Sequence, residues 1–226
     1  MIRYLNKTSS SYSPACKRPV RSPGRRTIAR FALLALLGTF AVGLSFVWAV
    51  QPTQISYAEQ PAVKEYELKA VYLYNFLQFV QWPEGTQSRS KDGTMIIGIL
   101  GDSPFGESLD DLRKEIRERN MAPVKFVYFG TYEDVMRESR DISGCHLLFL
   151  CPSEQSKFAR IIADLNDAPV LTVADTENFT SSGGMISLVQ NRGKIRWVVN
   201  RTAMEKAGLR VSAQLLSMAV KVVGGK

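Results

Sequence analysis

The chain has 226 residues, 45% hydrophobic and 22% charged, with a formal net charge of +8. All of that net charge lies in the first thirty residues, where Arg3, Lys7, Lys17, Arg18, Arg21, Arg25, Arg26 and Arg30 meet no acid. The remaining Lys and Arg balance the 21 Asp and Glu, so the body beyond residue 58 is electroneutral and offers no electrostatic footing for nucleic acid.

The basic stretch runs into residues 31–50, which are apolar and uncharged. That order has the form of an export signal, with the positive end held on the cytoplasmic side. Two cleavage sites fit: Ala49 with Val47 at −3, and Ala58 with Ser56 at −3 and Glu59 opening a soluble sequence. Cleavage after Ala58 is the expectation. Left uncut, a stretch of about 20 apolar residues at about 1.5 Å each reaches across a hydrocarbon core of about 30 Å, making residues 31–50 an inner-membrane anchor. In both cases residues 1–58 are a leader, and residues 59–226 are one domain delivered outside the cytoplasm.

Within that domain, residues 61–82 carry apolar side chains in threes and fours and predict a helix that is apolar on nearly all sides, stopped by Pro83. Residues 84–93 read as a loop and 94–100 as a strand. Gly101-Asp102-Ser103-Pro104 then turns into a helix through Arg119, with Ser103 as N-cap and Pro104 at its first position. Residues 124–129 form a second strand, and Thr131 caps a short helix to Ser139 with Asp134 in a near capping box. Residues 146–151 form a third strand, Ser153 caps a helix to Asn166, and residues 169–174 form a fourth strand. Short apolar strands that scarcely alternate are buried on both faces, as in a parallel sheet covered by helices. After Asp175 the rhythm changes. Residues 185–189 and 194–199 flank Asn191-Arg192-Gly193, a hairpin signal, and Asn200 caps a helical region to Val223 that breaks at Gly208 and restarts at Ser212. The predicted fold is a three-layer, Rossmann-like, mostly parallel α/β sheet with flanking helices and a C-terminal antiparallel hairpin plus helix.

Chemistry-bearing residues are sparse. Cys145 and Cys151 are an even pair in an oxidising compartment, yet six steps of strand separate them by about 20 Å. A disulfide needs Cα atoms within about 7 Å, so none is expected between them. His146, the single histidine, neighbours Cys145, but adjacent strand residues point to opposite faces; it reads as a structural strand residue. One histidine without a matching cysteine pattern supplies no zinc ligand set. Asp102 and Asp175 follow strands at the carboxyl edge, where open α/β sheets bind ligands; capping and turn chemistry are their simpler roles. Gly183 and Gly184 permit a positive φ or a close approach of backbone to ligand. Arg196 and Asn200 share a strand face, Asn200 doubling as an N-cap. No triad, metal cluster, phosphate loop or cofactor site emerges.

Several segments together resemble one family. Lys69-Ala70-Val71-Tyr72-Leu73-Tyr74-Asn75-Phe76, running to Gln81-Trp82-Pro83, resembles its opening helix. Residues 97–105 resemble its first strand and turn, and residues 145–150 a later strand. Leu171-Thr172-Val173-Ala174-Asp175, Phe179, Gly183-Gly184-Met185-Ile186, Val199-Asn200, Ala207-Gly208-Leu209 and Ser212-Ala213-Gln214-Leu215-Leu216 follow in order. These are similar to the YfiR/HmsC-like family over about residues 64–223. The resemblance implies a periplasmic regulator without catalytic activity, which binds the periplasmic domain of an inner-membrane diguanylate cyclase or sensor kinase and holds it inactive. That would lower cyclic di-GMP and restrain biofilm formation. Together with the residues weighed above, it leaves Asp102, Asp175, Phe179, Gly183, Gly184, Arg196 and Asn200 as the candidate ligand- or partner-binding residues, with a homodimer also an open expectation. Two other readings stay open: a periplasmic small-molecule sensor with a pocket at the turns of Asp102 and Asp175, and a thiol-dependent enzyme using Cys145 or Cys151.

Overall fold

The computed structural model describes residues 61–86 and 92–224. The leader, both cleavage sites and the boundary at residue 58 lie outside the described residues. Among the described residues, no helix is long and apolar enough to cross a membrane.

In chain order the elements are α1 (Pro61–Phe79), β1 (Val80–Gln81), β2 (Met95–Leu100), α2 (Ser108–Glu118), β3 (Val124–Gly130), α3 (Tyr132–Glu138), β4 (Leu147–Leu150), α4 (Phe158–Leu165), β5 (Leu171–Ala174), β6 (Ile186–Asn191), β7 (Lys194–Asn200), α5 (Arg201–Lys206), β8 (Arg210–Val211), α6 (Ala213–Ser217) and β9 (Lys221–Val223). Seven strands form one sheet in the order β3-β2-β4-β5-β6-β7-β9. Neighbours from β3 to β6 pair in parallel. The β6–β7 hairpin is antiparallel, closing with Asn191 opposite Lys194. Its two-residue loop places Arg192 at φ 50° and Gly193 at φ 72°, the left-handed pair that suits the twist of the strands.

The first strand of the sheet, β2, sits between β3 and β4, so the chain winds first to one side and then to the other. Such a reversal creates a switch point at the carboxyl ends of β2 and β4, where doubly wound folds bind their ligands. Alternate residues along the central strands feed two cores. Ile97, Ile99, Leu147 and Phe149 pack with Leu73 and Phe76 of α1, Leu109 and Ile116 of α2, Met204 of α5 and Leu215 of α6. Leu148 and Leu150 face the other way, onto Tyr132 and Val135 of α3 and Phe158, Ile161 and Leu165 of α4. The predicted three-layer fold is the observed one.

Four boundaries differ from the sequence reading. The second helix begins at Ser108 with no side-chain cap, not at Ser103. Phe105 turns inward, 2% exposed, and Gly106 at φ 51° breaks the helical path. Ser153 caps no α-helix: residues 152–157 wind as a 3-10 turn before α4, and the Ser153 hydroxyl accepts from the backbone N–H of Asp102 instead, at 2.9 Å. The C-terminal segment ends in a strand rather than a helix, because β9 pairs in parallel with β7. At the start of the domain α1 stops at Phe79, since Val80 and Gln81 pair with Val211 and Arg210. Elsewhere the caps are as read. Thr131 and Asp134 form a full capping box; Asn200 and Ser212 accept from Ala203 N–H and Leu215 N–H.

Candidate functional site

At the switch point the crevice is shut by the protein itself. Gly101, at φ 102°, lets the turn after β2 lie against the turn after β4. A Cβ there would meet the Ser153 hydroxyl at 2.5 Å and the Cys151 Cβ at 2.9 Å. The turns are then stitched: Cys151 N–H donates to the Leu100 carbonyl at 2.9 Å and Gly101 N–H to the Gly130 carbonyl at 2.7 Å, beside the Asp102–Ser153 bond. Asp102 keeps its side chain in solvent.

Over the neighbouring carboxyl end of β5 lies α1. Lys69 Nζ donates to Asp175 Oδ2 at 3.0 Å and pairs with Glu65 Oε1 at 2.6 Å. Tyr66 Oη donates to the same Asp175 oxygen at 2.7 Å. The Lys69 and Asp175 side chains are 7% and 3% exposed. The Tyr66 ring meets Phe105 edge-on at 5.4 Å, and Phe105 meets Phe149 at 4.9 Å, so an aromatic stack seals the flank. Asp175 Oδ1 is buried with no hydrogen-bond partner among the described residues. Burial, and then the hydrogen bond to Asp175, raise the Tyr66 hydroxyl well above its ordinary pKa. Burial, and then the negative charges of Asp175, Asp102 and Glu154, push the Cys151 thiol up to about 12. Thiolate is the nucleophile, so Cys151 is poorly suited to covalent chemistry at neutral pH. Asp175 is thus an interior anchor for α1, its side chain sealed while that of Asp102 faces solvent.

The other candidates fall elsewhere. Phe179 is 0% exposed and packs edge-on against Phe158 at 4.9 Å, which takes it out of any surface. Gly184 exists for that ring, since a Cβ there would lie 2.3 Å from Phe179 Cε1. Gly183 ends the 3-10 turn Thr180–Ser182 at φ 96°. Asn200 Oδ1 caps α5, and its Nδ2 donates to the Thr180 carbonyl at 3.2 Å. Gly183 and Asn200 do meet, with Thr172, Met185 and Lys206, around a small cavity of about 210 Å³ at the opposite, amino edge of the parallel strands. Arg196 is half-buried on β7 and lines a separate hollow with Lys64, Glu65 and Tyr72.

Cys145 and Cys151 are not joined in a disulfide; they flank β4 and enter different cores. His146 accepts the Ile96 N–H through Nδ1 at 3.0 Å and stands edge-on to Trp82 at 6.1 Å, a structural role. Among the described residues, no group of three or more His, Cys, Asp and Glu could hold a metal ion.

Sequence reasoning missed Tyr66 and Lys69 as the partners of Asp175, and Glu65 as the second acid on Lys69. A signal was present: Lys69 stands on the stripe continued by Leu73 and Phe76, where a lysine at core spacing calls for a buried acid.

A family model described as YfiR/HmsC-like matches residues 66–220. No curated protein matches the chain. Two solved structures are similar: a conserved domain protein from Vibrio cholerae O1 biovar El Tor strain N16961, at 16% identity and a TM-score of 0.49 over 70% of this chain, and the ABC domain in complex with L-Trp from Streptococcus pneumoniae, at 12% identity and 0.46 over 61%. This chain covers 60% of each of those chains.

Proposed function

Because this chain belongs to the YfiR/HmsC-like family, a family of periplasmic regulators, we propose that it binds and represses an inner-membrane signalling enzyme, foremost a diguanylate cyclase, and so restrains cyclic di-GMP. The carrying observation is the family match itself, which spans almost the whole described domain, residues 66–220. The closed switch point supports the same reading. A regulator that acts by contact needs a stable surface rather than a crevice, and the crevice position is filled by stitched turns and by α1. A sensor reading built on a pocket at Asp102 and Asp175 loses its support, because the Asp175 side chain is sealed beneath Lys69 and Tyr66. A thiol-enzyme reading meets a Cys151 whose ionisation is opposed by burial and by three nearby carboxylates.

Export through the N-terminal signal, with cleavage after Ala58, would deliver the domain to the compartment where a membrane partner presents its periplasmic part. The reading is tested by deleting the gene and restoring it in trans while measuring cellular cyclic di-GMP. The level rises on deletion and returns on restoration. An unchanged level, with no response from a neighbouring cyclase or sensor kinase, overturns it.

A further inference from the structure

The middle of α1 leaves two apolar side chains uncovered. Leu68 and Val71, three apart, are 41% and 37% exposed, although Lys69, Ala70 and Leu73 beside them are buried. They form one wall of a hollow of about 440 Å³ between α1 and α2, whose lining includes Leu112, Glu67, Asp111 and Glu115. A second hollow of about 490 Å³ adjoins it, sharing Glu67, Ser108 and Asp111 and continuing over Pro104, Phe105 and Glu107. The two make one groove with an apolar floor. Its charged lining is four carboxylates, Glu67, Glu107, Asp111 and Glu115, against the single cation Lys64. On a domain whose charges sum to zero, that lining is a local excess of negative charge.

Two of the acids hold intrahelical partners: Lys114 lies 2.8 Å from Asp111 and Arg119 lies 3.0 Å from Glu115. Both pairs are solvent-exposed, and such pairs are worth only about 0.3–0.5 kcal/mol, so an incoming cation can replace them. A groove between two helices, with apolar anchors at helical spacing and one sign of charge along its rims, takes an amphipathic helix in its length, and the rim charge sets which sign of helix is admitted. A second copy of this face would set carboxylate against carboxylate. Resting on the regulatory reading above, we infer that the α1–α2 groove is the docking site for a basic amphipathic helix of the membrane partner, with Leu68, Val71 and Leu112 receiving its apolar side and Glu67, Glu107, Asp111 and Glu115 its Lys or Arg.

The probe is a fluorescein-labelled Leu/Lys amphipathic peptide of about 18 residues, with a Leu/Glu peptide of the same pattern as control, titrated into the purified chain by anisotropy. The Leu/Lys peptide binds and weakens as salt rises; the Leu/Glu peptide does not bind. Glu67→Lys/Glu107→Lys weakens binding by about tenfold or more, as like charges now face each other. The same charge change on other elements, Glu138→Lys/Glu205→Lys, leaves it in place. Equal binding of the two peptides, or equal loss from both double variants, overturns the inference. In cells, Glu67→Lys/Glu107→Lys accumulates normally yet gives the cyclic di-GMP level of the deletion, whereas Glu138→Lys/Glu205→Lys restores the parent level. If deletion raises cyclic di-GMP but the groove variant restores it, the groove falls and the regulatory reading stands. If deletion changes nothing, the regulatory reading falls.

Discussion

The Lys69–Asp175 clamp is the interaction whose removal is easiest to price from the structure. Lys69→Met keeps the aliphatic stem packed and deletes the ammonium. The Asp175 side chain, 3% exposed, then loses its cationic partner, with the Tyr66 hydroxyl as donor to Oδ2 and none to Oδ1 among the described residues. Glu65, formerly joined to it through Lys69, adds a like charge nearby. Breaking one partner of a buried pair costs about 3–5 kcal/mol, whereas an exposed pair such as Lys114–Asp111 is worth about 0–1 kcal/mol. In a domain of this size each kcal/mol moves the midpoint by about 2–4 °C, so Lys69→Met melts about 10 °C below the parent. Urea unfolding followed by Trp fluorescence gives the free energy directly, since Trp197 is buried between α1 and the C-terminal segment. Lys69→Met/Asp175→Asn removes both charges while leaving Tyr66 an acceptor, and it recovers most of the loss. A Lys69→Met variant within about 1 kcal/mol of the parent, or a double variant no more stable than the single, refutes the clamp.

Other outcomes follow from the same geometry. Cys145 and Cys151 are 1% and 0% exposed, so native protein at pH 8 resists a disulfide-exchange reagent for minutes and releases both thiols only in denaturant; rapid native labelling contradicts this. The Cys151 thiol ionises near its ordinary value in the unfolded chain but only at about 12 in the fold, so the native state holds the extra proton and stability declines as pH climbs through that interval; Cys151→Ala flattens the decline. Gly184→Ala drives a Cβ to within 2.3 Å of Phe179 and costs about 1–3 kcal/mol of overpacking. Phe179→Leu added to it costs less than the sum of the single changes; strict additivity argues against the contact. The hydrogen bonds that Asp134 receives from the Thr131 side chain and backbone hold its carboxyl below the usual carboxylate range. Their contribution is therefore present above the unfolded value and lost as pH falls through the folded one. NMR titration shows the depressed value and its return upward in Thr131→Val; an ordinary value in the parent refutes the capping box.

What the sequence disclosed, and what it hid, divide by range. Runs of apolar strand residues, the Arg192-Gly193 turn and the caps at Thr131, Asn200 and Ser212 are written in a few neighbouring positions, and all can be read from them. The start of α2 cannot, because Ser103 and Pro104 are sound helix openers locally and are overruled by Phe105, whose place is set by Tyr66 and Phe149. Ser153 is likewise a sound cap until the backbone of Asp102, 51 positions earlier, takes its hydroxyl. Lys221-Val222-Val223 is a short apolar run whose period does not separate helix from strand; only its pairing with β7 decides. Of the candidate site, the carboxyl-edge position of Asp175 is legible from strand order, but its partner lies 106 residues away on α1. The role therefore changes from ligand contact to anchor. Gly184 and Phe179 form a matched pair inside the core, which is why both stand out in the sequence without belonging to a surface.

The central claim is repression by contact. Its most direct measurement is the rate of cyclic di-GMP synthesis by membrane vesicles bearing the candidate cyclase with its periplasmic face outward and GTP enclosed, with and without added purified chain. The account predicts that the rate falls as the chain is added and reaches a plateau. A rate that stays constant at saturating concentrations, with the cyclase otherwise active, contradicts it.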